Sequence, residues 1–163
     1  MSDIKSALVT AYKTDLGTQQ ASALSWMRFY DVVGETDLTN WYGLLPLVLI
    51  SVLPTSIEPD SLEGDCQSNK KIYTIVLSAV VYSYDRSYGT QSPNVPDLTE
   101  CIDKGDDLET LYNRNKLGLS QACTLVTRTE GALFIPGFQT EGQTWAHGSQ
   151  LTFEHDWIDR RVS

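Results

Sequence analysis

The segment 72–84, IYTIVLSAVVYSY, carries the strongest strand pattern in the chain and determines its architecture. β-branched and aromatic residues dominate it, and such residues suit a pleated sheet surface. Its apolar side chains alternate between two faces, so both faces are expected to be covered. The preceding apolar run, 44–53, lies between Gly43 and Pro54 and predicts a buried strand that starts near Pro46. The two runs are expected to pair as a long hairpin.

Helical periodicity marks two segments of the chain. Apolar residues at three- and four-residue spacing predict an amphipathic helix over 3–16, capped by Ser2 and stopped by Gly17. A second helix is expected to start at the acidic pair 106–107, where the helix dipole favours negative charge, and to end near Gly118.

Further strands are expected at 24–33, which is rich in aromatic and apolar residues, and at 122–129 and 151–158, where apolar and polar side chains alternate. The order of elements predicts an α+β fold, with an antiparallel or mixed sheet of about four strands and two helices packed on one face. No composition break divides the chain, so residues 1–163 are expected to form a single domain. Its long loops are expected near 54–70, 85–99 and 131–148.

The charge balance limits the classes of partner. Twelve Lys and Arg stand against twenty-one Asp and Glu, which gives a formal net charge of -9. The only local basic groups are the pairs 70–71 and 160–161, whereas tight nucleic-acid binding needs clustered cations. Tight binding to nucleic acid is therefore disfavoured, although an acidic wall would let a polyanion slide past.

The cysteines and the hydropathy of the chain indicate the cellular compartment in which the protein is made. Cys66, Cys101 and Cys123 are odd in number and widely spaced, so neither a zinc site nor a disulfide framework is expected, and synthesis in a reducing cytosol fits. No stretch of signal-peptide type follows the N-terminus. The most apolar run, 44–53, is about half as long as a membrane-spanning helix, so no membrane segment is expected.

The two histidines, His147 and His155, are the obvious material for a metal site or a general base. Glu154 and Asp156 flank the second histidine, but strand alternation should turn them to the opposite face. No nucleotide-binding loop or nucleophile elbow is present. The sequence therefore predicts no catalytic, cofactor-binding or metal-binding residue, and a function in protein assembly is favoured over enzymatic catalysis.

The organisation of the chain resembles that of the tail terminator (tail completion) proteins of long-tailed bacteriophages. The resemblance rests on the order of a short amphipathic helix, the strand Leu45-Pro46-Leu47-Val48 with its early proline, a long loop at 58–69 and the strand 72–84. A helix comparable to 108–117 follows, and two strands close the chain. The last strand is entered through the turn Glu141-Gly142-Gln143-Thr144-Trp145. Segments 24–40 and 86–99 are longer than in that family.

The resemblance implies a virion protein, assembled in the host cytoplasm, that closes into a hexameric ring on the last ring of the tail tube. Its partners would be further copies of itself, the tail tube protein and the head-tail connector protein, and DNA would pass through the lumen. The residues expected at the subunit interface are Glu58, Asp60, Leu62, Glu63, Asp65 and Trp145. The alternatives are another neck or tail protein, such as a head-closure or tube protein, and a small hydrolase that uses a histidine.

Overall fold

The structure is a computed structural model that describes residues 3–35, 37–39, 41–59, 68–84, 98–138 and 145–160. These ranges contain two α-helices, one 3-10 helix and six strands. In chain order the elements are α1 (Ile4–Gln19), β1 (Phe29–Val32), the 3-10 helix (Trp41–Leu44), β2 (Leu47–Val52), β3 (Ser56–Pro59), β4 (Ser68–Tyr84), α2 (Leu98–Tyr112), β5 (Ala122–Leu133) and β6 (Trp145–Arg160). The predicted α+β class is confirmed. Neither α-helix is both long and apolar enough to cross a membrane.

The six strands form one mixed sheet in the order β1-β2-β4-β6-β5, and β3 also pairs with β4. Strand β1 runs parallel to β2, and the other pairs are antiparallel. The predicted hairpin is confirmed, because β2 pairs with β4 in register from Leu47 opposite Val80 to Val52 opposite Ile75.

The sheet has more strands than the expected number of about four. Strand β3 lies inside the predicted loop 54–70, and the last residues of this segment, from Ser68, already belong to β4. Of the segment 24–33, only β1 is a strand. The predicted loop 131–148 is also too long, because its first three residues end β5 and its last four begin β6.

Both α-helices pack on one face of the sheet, as predicted. Helix α1 contributes Leu8 and Tyr12, and α2 contributes Leu108, to the main hydrophobic cluster. From the sheet, this cluster includes Ile75, Leu77, Leu151 and Phe153. A second cluster covers part of the opposite face, and it is built from Trp41, Leu47, Leu49, Val80, Leu133, Ile135 and Ala146. The central strand β4 is therefore buried on both sides, which its long apolar run requires.

Helix α1 does not end at Gly17 but continues to Gln19, and its N-cap is Asp3, whose carboxylate accepts a hydrogen bond from the Lys5 amide. Gly17 instead allows a close approach, because a Cβ atom there would lie 2.6 Å from the hydroxyl of Tyr30. The glycine therefore reflects packing against β1 rather than the end of the helix.

Both predicted ends of the second helix are wrong, because α2 begins at Leu98 and ends at Tyr112, before Gly118. The acidic pair 106–107, which was predicted to start the helix, lies in its interior. Both carboxylates have polar partners. Asp106 forms an ion pair with Arg128 at 2.7 Å, and Asp107 accepts a hydrogen bond from Nε1 of Trp26 at 2.9 Å.

Gly148 lies inside strand β6, at a position that has no room for a side chain. A Cβ atom at this position would lie 1.7 Å from the carbonyl oxygen of Ala79 in β4. Since the obstacle is backbone, no side chain can move to make room. Glycine here therefore permits the close approach of β4 and β6 and does not indicate a loop.

Candidate functional site

Only part of the predicted subunit interface falls in the described residues. Glu58 is exposed on β3 and lies opposite Lys70 of β4. Trp145 opens β6 opposite Tyr84, and its side chain is outside the described part. The remaining four residues of the prediction, Asp60, Leu62, Glu63 and Asp65, lie outside the described residues.

Exposed apolar side chains lie at both edges of the sheet. Strand β5 is the last strand on one side, and Val126 on this strand is 51% exposed. Phe134, directly after β5, is 83% exposed. On the other side of β4, β3 carries Ile57, which is 60% exposed. We call Val126 and Phe134 with the outer side of β5 the β5 edge, and Ile57 with the outer side of β3 the β3 edge.

The β5 edge presents an interrupted strand. Its register with β6 shifts between Leu125 and Thr127, so Val126 forms a bulge. The side chains exposed along the strand are short and mostly β-branched, and they belong to Thr124, Val126, Thr127, Thr129 and Ala132. No other strand in the described ranges pairs with the outer side of β5. Unpaired backbone groups on an edge can add a further strand from another chain.

Arg128 fixes the β5 edge beneath α2. Its guanidinium contacts the carboxylates of Asp106, Glu109 and Glu130 and donates a hydrogen bond to the carbonyl of Ile102. Burial alone would lower the pKa of Arg128, but the three carboxylates raise it above its ordinary value. The arginine is therefore held charged, and it ties the helix to the strand before any partner binds.

His155 lies fully buried between α1, β5 and the turn after α2. Its Nε2 atom is 2.5 Å from the hydroxyl of Tyr12 and 3.5 Å from Sγ of Cys123, and its Nδ1 atom is 3.0 Å from Oγ of Ser120. Both hydroxyls can donate or accept, so a neutral imidazole is satisfied in either tautomer. Burial lowers the pKa of His155 to about 4. The imidazole is neutral at pH 7 and reaches no solvent.

The second histidine is too distant to share a site with the first. His147 and His155 are eight residues apart on β6, which at the usual strand rise corresponds to about 26 Å. Nδ1 of His147 is buried without a hydrogen-bond partner in the described part of the chain, and burial lowers the pKa of this imidazole. Asp156 points away from His155 and forms an ion pair with Lys70 at 3.4 Å. Strand alternation therefore separates these groups, as expected from the sequence.

Metal-ligating side chains do not converge in the described residues. No group of three or more His, Cys, Asp or Glu is placed there to hold an ion. Cys101 and Cys123 are buried and are not joined by a disulfide bond, and burial raises the pKa of the Cys123 thiol. Cys66 lies outside the described part.

The exposure of Ile57 and Phe134 was missed by sequence reasoning. Ile57 stands in a segment of loop composition, and Phe134 follows two apolar residues, so neither position carries a local sign of exposure. The bulge at Val126 also shifts the alternation along β5, so a count from Cys123 does not assign the faces beyond it.

Comparisons with known proteins add no assignment. No family model matches the chain, and no curated protein is significantly similar to it.

Proposed function

We propose that this protein is a structural virion subunit of the tail terminator type. It assembles with copies of itself into a hexameric ring that caps the tail tube and joins it to the head connector. The observation that carries the proposal is the pair of exposed apolar sites on opposite edges of one sheet, Phe134 at the β5 edge and Ile57 at the β3 edge.

A subunit of a ring needs two different contact surfaces, one for each neighbour. A ring is built from heterologous contacts, in which one surface of a subunit meets a different surface of its neighbour. The β5 edge and the β3 edge lie on opposite sides of the central strand β4, so one subunit can engage two neighbours at once. Large exposed apolar side chains on such edges favour burial against another chain.

The order of helices and strands also supports the proposal. The helix, strand, long strand, helix and two closing strands of the resemblance follow the same order as α1, β2, β4, α2, β5 and β6. Pro46 directly precedes β2, and α2 overlaps the helix 108–117 of the resemblance over 108–112. The net charge of -9 suits a ring through which DNA slides, because negative walls do not retain it. Under this proposal the protein resides in the tail or neck of the virion.

The test is the mass of the protein in solution, measured by light scattering over a concentration series, with negative-stain images of the same samples. The wild-type chain is expected to form hexamers or rings as its concentration rises. Phe134→Asp and Ile57→Asp should each shift association to at least tenfold higher concentration. Leu98→Asp is the matched control, because Leu98 is 51% exposed but lies on α2.

Two results would count against the proposal. One is a wild-type chain that stays monomeric up to millimolar concentration. The other is association that all three aspartate variants weaken equally, since this would reflect added negative charge and not the loss of an edge contact.

A further inference from the structure

Ser120 lies in the turn after α2, and its hydroxyl contacts the buried imidazole of His155. Oγ of Ser120 is 3.0 Å from Nδ1 of the imidazole. The serine is half-buried and the imidazole is fully buried, so Ser120 is the member of the pair that faces solvent. Residues 117–119, immediately before the serine, line an open groove at the surface. A small molecule in solution can therefore approach the turn that carries Ser120.

The other side of the imidazole is held by a chain of hydrogen bonds. Nε2 of His155 is 2.5 Å from the hydroxyl of Tyr12, and this hydroxyl is in turn hydrogen-bonded to Cys123. The thiol of Cys123 donates to the backbone carbonyl of Tyr112 at 3.5 Å. A carbonyl can only accept, so the chain has a defined end.

This end favours one direction for every proton in the chain. When the thiol donates to the Tyr112 carbonyl, its sulfur can accept from Tyr12, and the Tyr12 oxygen can accept from Nε2–H of the imidazole. Nδ1 then carries no proton and accepts from Ser120. In the other tautomer Nδ1 donates to Ser120, and within the described residues the serine proton reaches only the carbonyl of Lys116, at 3.5 Å. The geometry thus favours the tautomer in which the imidazole can take the serine proton.

The surroundings keep this imidazole neutral. Three neighbouring groups have pKa values raised mainly by burial and are uncharged at pH 7, namely Tyr12, Tyr112 and Cys123. The cations of the turn, Arg114 and Lys116, are exposed. Burial lowers the pKa of His155 to about 4, and the negative charge of Asp156 opposes this only in part. The imidazole is therefore a weak base, but it is free to accept a proton throughout the neutral pH range.

We propose that Ser120 is a nucleophile for small activated esters of carboxylic and phosphonic acids, with His155 as its general base and Tyr12 as the residue that positions the imidazole. A serine hydroxyl is activated when a base lies within hydrogen-bond reach and a third group orients that base. Oγ forms a bond to the acyl carbon or phosphorus, and the bond to the leaving group breaks. The serine proton moves to Nδ1 of His155, which passes it to the leaving group. This activity does not depend on the assembly proposed above.

The test is labelling of the full chain with an alkyl fluorophosphonate, and mass spectrometry identifies the labelled residue. Oγ displaces fluoride from phosphorus, which leaves a stable adduct. Because the base is weak, Ser120 is expected to react only about tenfold faster than Ser22. Ser22 is the matched control, since it is exposed and its hydroxyl donates to Gln19 instead of a histidine. Ser120→Ala should remove the fast label, and Ser22→Ala should leave it unchanged.

Two further variants test the base and its orientation. His155→Gln can still hydrogen-bond but takes no proton, so labelling should slow about tenfold. In the wild type, ¹⁵N NMR spectra of the histidine rings at pH 7 should show the Nε2–H tautomer of His155. Tyr12→Phe removes the acceptor of Nε2–H, so the tautomer should shift toward Nδ1–H and labelling should slow. A purely structural role of Tyr12 would leave the tautomer unchanged.

The pH dependence identifies the base. With a pKa of about 4 for His155, the labelling rate should change less than about twofold between pH 8 and pH 5.5. A histidine with the ordinary pKa of 6.5 would cause a loss of about tenfold over the same range. Equal labelling of Ser120 and Ser22, undiminished labelling of a folded His155→Gln chain, or an Nδ1–H tautomer in the wild type would overturn the proposal. The amide NMR spectra of the variants show whether each is folded.

Discussion

At the scale of single residues, the buried imidazole of His155 makes the stability of the fold depend on pH. The imidazole is enclosed by the hydroxyl of Tyr12, the hydroxyl of Ser120 and the thiol of Cys123, and its pKa is lowered to about 4 by burial. The same group has a pKa of 6.5 when it is free in the unfolded chain. Between these two values the unfolded chain binds a proton that the folded chain does not bind.

We therefore predict that acid destabilises the protein through His155. The contribution is complete above pH 6.5 and is lost as the pH falls toward 4, and it amounts to about 3 kcal/mol in the free energy of unfolding. Urea denaturation of the wild type and of His155→Gln at pH 7 and pH 4.5 measures it. The stability gap between the two proteins should shrink at the lower pH, and a constant gap would show that His155 does not titrate in this way.

At the scale of elements, α1 illustrates how one contact decides the role of a glycine. A helix interior disfavours glycine by about 1 kcal/mol relative to alanine. Gly17 is nevertheless compatible with α1, because the hydroxyl of Tyr30 occupies the space where a Cβ atom would lie. The favourable propensity of alanine and the steric clash thus oppose each other at this position.

A double-mutant cycle separates the two effects. Gly17→Ala alone is expected to be neutral or destabilising, because the Tyr30 hydroxyl must move. Combined with Tyr30→Phe, which removes that hydroxyl, the same change should stabilise the protein by about 0.5–1 kcal/mol. Thermal or urea unfolding of the four proteins gives the coupling energy. Equal effects of Gly17→Ala in both backgrounds would contradict the contact.

The elements that the sequence predicts correctly are those with a long, regular pattern. Strands β2, β4 and β6 contain apolar runs or alternating apolar and polar residues. Each pattern is long enough to be recognised as that of a strand. Strand β3 has only four residues, Ser56–Pro59, and their composition is that of a loop. It forms a strand only because it pairs with β4. This pairing is a contact of the tertiary structure and is not visible in the local sequence.

The start of α2 was mispredicted for a related reason. The acidic pair 106–107 suits a helix N-terminus, but the helix extends back through Gly105, a buried site of close approach where a Cβ atom would lie 2.2 Å from Oγ of Ser149. Local patterns do not encode such contacts between distant segments.

At the scale of the whole molecule, the proposed ring makes a specific prediction about mixtures. Ile57→Asp should keep a functional β5 edge, and Phe134→Asp should keep a functional β3 edge. A mixture of the two variants can therefore form one intact heterologous contact, but it cannot close a ring.

Light scattering of the mixture should show heterodimers at concentrations where each variant alone is monomeric. For comparison, either variant is mixed with Leu98→Asp, which keeps both edges, so that assemblies longer than a dimer can still form. If Ile57→Asp alone formed a stable dimer, the β5 edge would pair with itself, and the contact would be isologous and not that of a ring.

The position of β4 in the sheet has a further consequence, for the exchange of its amide hydrogens with solvent. Strand β4 is paired on one side with β2 and β3 and on the other with β6, and both of its faces are covered along the stretch 75–80. Those amides can exchange only when the sheet opens as a whole, whereas outward amides of β5 exchange through local fluctuations. The slowest hydrogens of β4 therefore report the global stability of the monomer, while those of β5 report whether another chain covers the edge.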